Sequence, residues 1–131
     1  MKPPLKTQYT EQDLRDYMVN FAAEIKAAFD EDCNRDDNER IPSLIASDQR
    51  YATLVYPCGS FLCWTMREHG ATEAQVAKVS FCHGQRSFFG DPIKWAVIYL
   101  NQWLEKKDIQ DKPGAKLADE INAMYLTGAN N

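Results

Sequence analysis

Asp91-Pro92-Ile93-Lys94-Trp95-Ala96-Val97-Ile98-Tyr99-Leu100-Asn101-Gln102-Trp103-Leu104 is the stretch on which the fold turns. Asp91 supplies a side-chain acceptor for the free N–H groups of a first helical turn, and Pro92 stands where a missing N–H is harmless. The segment predicts a helix from Pro92 to about Lys107. Its apolar residues occupy more than one face, as in a central helix touched from several sides. Trp95, Tyr99 and Trp103 recur every four residues and form one aromatic ridge. Core packing is its ordinary use; a part left at the surface would anchor a protein interface or a homodimer.

Upstream, Thr10 and Asp13 have the spacing of an N-terminal cap, and Leu14, Tyr17, Met18, Phe21, Ile25, Ala28 and Phe29 follow at three- and four-residue intervals. One helix from Thr10 to about Asp32 is expected. Pro42 suits a first helical turn, whereas Tyr51-Ala52-Thr53-Leu54-Val55-Tyr56 has a composition that also suits a strand. Pro57 and Gly59 are read as breaks. A short helix then starts at Ser60, carries Phe61, Leu62, Trp64 and Met66, and stops at Gly70. Thr72 and Gln75 form a capping box for a helix bearing Val76, Val79 and Phe81 that ends near Gly84. Phe88 and Phe89 fall in the loop before Asp91, and a last helix from about Gly114 carries Leu117, Ile121 and Met124 and stops at Gly128.

The sum is an all-α fold: a compact single-domain bundle of five or six short helices spanning residues 1–131, frayed at 1–8 and 128–131. The alternative is α+β, with a small hairpin within 51–66. The chain of 131 residues, 44% hydrophobic and 26% charged, suits one ordinary globular core. Neither an apolar leader nor a run of about 18 apolar residues is present, so a cytoplasmic protein off the membrane is expected.

The formal net charge is −4, and Asp30 to Arg40 alone supplies it, with six acids against two bases. Elsewhere the charges balance, so no basic stripe exists to neutralise phosphates and nucleic acid is not an expected partner. The run fails as a calcium loop, because Arg35 stands where glycine is needed and Ile41 where the bidentate glutamate belongs. Asp36, Asp37 and Glu39 are instead candidate contacts for a partner protein with a basic surface.

Three of the four cysteines and both histidines lie between Cys58 and Gly90. Cys58, placed just before an expected helix start, would meet N–H groups that favour thiolate. With His83 as base and Asp91 to orient the imidazole it would make a small thiol hydrolase or transferase. The string Cys58-Gly59-Ser60-Phe61-Leu62-Cys63-Trp64 departs from the papain-like Cys-Gly-Ser-Cys-Trp pattern by the inserted Phe61-Leu62, and no histidine lies far enough downstream. Cys58, Cys63, Cys82 and His83 carry the atoms for zinc, although adjacent Cys82 and His83 diverge by about 100° on a helix. Packing is the plainer role for these sulfur and imidazole groups, with no cofactor required. The leading expectation is therefore a protein-binding regulator of inhibitor, immunity or adaptor type. Its contacts would be Asp36, Asp37, Glu39, Phe88, Phe89, Trp95 and Tyr99.

Overall fold

A computed structural model describes residues 2–33 and 49–109. Among these residues all regular structure is helical, with no strand. α1 spans Glu11–Asn20, α2 Ala22–Cys33, α3 Tyr56–Glu68, α4 Glu73–Phe89 and α5 Pro92–Lys106. A π-helical turn, Tyr51–Val55, leads directly into α3. The hairpin alternative for 51–66 is thereby excluded. Residues 34–48 and 110–131, with the expected Pro42 start, the helix from Gly114 and the frayed end 128–131, lie outside the described residues.

Local chemistry explains the helix starts. Thr10 Oγ1 accepts from the Asp13 N–H at 3.2 Å while Asp13 Oδ2 accepts from the Thr10 N–H at 2.8 Å. Thr72 and Gln75 make the same reciprocal pair, at 3.1 and 2.9 Å. Asp91 Oδ1 accepts from the Ile93 N–H at 3.0 Å and so opens α5. α3 closes on Gly70, whose φ of +82° suits glycine; Gly70 N–H donates to Arg67 O and Ala71 N–H to Met66 O, each at 3.0 Å.

Two boundaries differ from expectation. The helix expected over 10–32 bends at Phe21, with φ −118° and ψ 24°, just after the weak helix formers Val19 and Asn20. The bend lets Leu14 and Tyr17 enter the main core while Phe29 packs on Tyr56, ring centroids 5.0 Å apart. Pro57 and Gly59 do not break the chain either. A proline ring presses on the carbonyl four residues back, here Thr53, and Thr53 lies in the wider π-turn, which accommodates the ring. The Tyr56 N–H reaches back five residues to Tyr51 O.

α3, α4 and α5 pack on one another, and α1 lies against α3 and α5. Their shared core holds Leu14, Tyr17, Phe61, Leu62, Met66, Val79, Leu100 and Trp103. Burial of such side chains, about 1.5–3 kcal/mol each, is the main force holding the bundle. Residues 2–10 have no regular structure yet are anchored. Asn101 holds both backbone groups of Tyr9, accepting from its N–H and donating to its carbonyl at 2.8 Å each. The Tyr9 hydroxyl donates to Pro4 O at 2.6 Å and lies 3.0 Å from His69 Nε2.

Candidate functional site

The residues expected to carry thiol chemistry are core. Cys58 lies inside the continuous helical path from residue 49 to Glu68, so no free helix end faces it, and it is 0% exposed. Burial, with a further push from the negative charge of Asp91, raises its thiol to about 12, the reverse of what a nucleophile at neutral pH requires. His83 is 2% exposed, and its Nε2 lies 2.9 Å from Pro92 O and 3.2 Å from Ser87 Oγ. A carbonyl only accepts, so Nε2 carries the proton, and burial holds the imidazole neutral with its pKa below the usual value. Asp91 caps α5, and no hydrogen bond joins it or Cys58 to His83. The expected Cys58–His83–Asp91 relay is not assembled.

The zinc set fails on direction. Cys58 and Cys82 point into the core, whereas Cys63 opens on a cleft, where burial raises its thiol and a hydrogen bond to Ser80 partly offsets the rise. Among the described residues no three His, Cys, Asp or Glu side chains converge where a metal ion could be held. Nor is any helix among them long and apolar enough to cross a membrane.

The aromatic ridge of α5 also faces inward. Tyr99 is 1% exposed and Trp103 2%, so Tyr99 is a core residue instead of a contact. Trp95 is half-buried, stacked 5.4 Å from Tyr99, with the Arg86 guanidinium 5.0 Å above its ring. It fits because residue 90 is glycine; a Cβ there would meet Trp95 Nε1 at 2.8 Å. Asp36, Asp37 and Glu39 lie outside the described residues.

α4 runs five residues past its expected end at Gly84 and closes at Phe89, so Phe88 sits on its last turn instead of a loop. The side chain of Phe89 lies outside the described part. Arg50 secures this end, donating to Ser87 O at 2.7 Å and Gly90 O at 2.6 Å. The helix has two apolar stripes. Val76, Val79, Cys82, His83 and Ser87 turn inward. Ala74, Ala77, Phe81, Gly84 and Phe88 turn to solvent, with Phe81 56% and Phe88 72% exposed. Phe81 lies two positions after Val79, which on a helix turns it about 200° away from that core residue.

Beside this outer stripe a cleft of about 460 Å³ opens between α2, the π-turn, α3 and α4. Gly59 and Gly84 face it from opposite walls, and a Cβ at either would meet no atom within 4 Å. Trp64, Cys63, Ser80 and Arg67 complete the nearer lining, with Arg67 held by Glu73 at 2.9 Å. Two large exposed aromatics and an adjoining recess floored by glycine can seat an apolar knob from another helix. Comparison of the chain with protein-family models, with curated proteins and with solved structures finds no match.

Proposed function

We propose that the chain is a cytoplasmic protein-binding regulator that works by seating a helical surface of another protein along the outer stripe of α4. The observation that carries this reading is the exposure of Phe81 and Phe88 on one stripe of a helix whose opposite stripe already builds the core. Their spacing of seven residues, with Ala77 and Gly84 set at intervals of four and three, is that of a seam for a second helix. Large exposed apolar side chains in register mark interaction surfaces more often than chance solvent exposure does. Buried thiols, a proton-bearing His83 Nε2 and a half-open cleft without convergent acid and base favour binding over catalysis.

Affinity capture from cells expressing the chain, with the wild type and a Phe81→Asp/Phe88→Asp variant as parallel baits, tests the reading. The wild type is expected to retain protein that the variant loses, with both baits showing the same circular dichroism. Identical captured sets would remove α4 from the binding surface.

A further inference from the structure

We infer that the occupant of the outer α4 stripe is a second copy of this chain, paired antiparallel about a twofold axis. The inference rests on the reading of α4 as a binding surface and identifies what it binds. Its basis is the order of side-chain sizes. Along the exposed stripe the residues alternate small, large, small, large: Ala77, Phe81, Gly84, Phe88. Ala77 lies as far before the midpoint between Cys82 and His83 as Phe88 lies after it. Phe81 lies as far before that point as Gly84 lies after it. Two copies crossing there in opposite directions place each phenyl ring opposite a residue with little or no side chain, twice over.

A parallel pairing does the reverse. It sets Phe81 against Phe81 and Gly84 against Gly84, leaving a void beside a collision, and close-packed interfaces tolerate neither. An isologous twofold contact needs a surface that complements itself, and this alternation has that property. The space it calls for exists. A Cβ on Gly84 would meet nothing within 4 Å, and Gly84 forms one lip of the 460 Å³ cleft whose other wall holds Gly59. The incoming Phe81 of the second copy packs over Gly84 and reaches the mouth of that cleft.

Charge does not oppose the pairing. The stripe itself bears none, and the neighbouring bases are engaged, Lys78 with Asp108 at 2.6 Å and Arg86 over Trp95. From Ala77 to Phe88 the paired stretch runs about 17 Å at the helical rise. A seam of that length lies near the lower size limit for a specific interface, so a weak, concentration-dependent dimer is expected.

The test is sedimentation velocity from about 1 to 200 µM on the full chain, with circular dichroism as the folding control. Wild type is expected to pass from monomer to dimer over that range. Phe88→Ala and Ala77→Phe should each raise the dissociation constant at least tenfold, since one leaves a hole and the other sets Phe against Phe. The double variant Ala77→Phe/Phe88→Ala should restore association, because the exchanged sizes again meet as large against small. Both positions are exposed, and circular dichroism of each variant checks that the fold is kept. A wild type that stays monomeric at 200 µM, a dimer indifferent to the single variants, or a double variant no better than either would overturn the antiparallel pairing. Loss of captured protein by the Phe81→Asp/Phe88→Asp bait, with a monomeric wild type, would remove the second copy and leave α4 as the binding surface of a different protein. Unchanged capture with a monomeric wild type would remove both.

Discussion

The two faces of α4 are built from the same helix and similar residue types, yet they have different work. The inner face mixes Val76, Val79 and Cys82 with His83 and Ser87; His83 finds its partner in Pro92 O at the start of α5, and Ser87 Oγ finds its own in His83 Nε2. The outer stripe of Ala77, Phe81, Gly84 and Phe88 bears no polar side chain, and carries two of the large exposed hydrophobics among the described residues, Phe81 and Phe88. Apolarity by itself therefore does not say which way a residue points. Both stripes step by three and four residues, as neighbours on one side of a helix must; the outer one alternates the two strictly, the pattern used where two helices meet.

Charging each face in turn gives the widest contrast. Val79→Asp would bury an unpaired carboxylate and should cost roughly 3 kcal/mol or more, whereas Phe81→Asp, on an exposed site, should leave monomer stability within about 0.5 kcal/mol. Urea unfolding at a concentration below the dimer range reads both. Comparable losses would erase the distinction between the faces.

Acid should next weaken the folded monomer through two histidines, His83 on the inner face of α4 and His69 at the end of α3 beside Tyr9. Burial depresses the imidazole pKa of His83, and burial together with Lys107 depresses that of His69. Both folded values lie below the unfolded value of about 6.5, so the unfolded chain binds more protons. The stability these groups contribute is present above that pH and is lost as pH falls through the folded values. Melting temperatures at pH 7.5 and 5.0 should show the drop, and His69→Gln should lessen it. A melting temperature that rises on acidification would contradict this assignment. The smallest of these effects should follow Thr72→Ala, which removes the cap of α4 and should cost about 1 kcal/mol without altering the contrast between its faces. Thermal melts check the loss, and sedimentation of the same sample should show dimer affinity unchanged once the folded fraction is allowed for.

Much of the architecture could be read from local chemistry. Thr10 with Asp13, Thr72 with Gln75, and Asp91 with Pro92 each declare a helix start within a few residues, because a cap is a contact between near neighbours. Pro57 misled because its compatibility with a helix depends on a π-turn upstream, a shape that no single residue announces. Gly84 misled because a glycine within a helix resembles a terminator, whereas here it leaves room above the backbone. On the proposed surface, the exposure of Phe88 was legible, although on a helix instead of a loop, whereas that of Phe81, Ala77 and Gly84 was not. Their common stripe appears only when a second period is sought on a helix whose first period already explains the core. Tyr99 erred in the opposite sense: its regular aromatic repeat suits a surface or an interior, and the packing of α1, α3 and α4 around α5 decides.

The grip of Asn101 on both backbone groups of Tyr9 joins positions 92 residues apart. During synthesis, the opening segment leaves the ribosome long before the side chain that will hold it has been made. Docking of residues 2–10 therefore has to wait until α5 has been made, and it closes a long loop at a cost in chain entropy that two hydrogen bonds and the burial of Tyr9 offset.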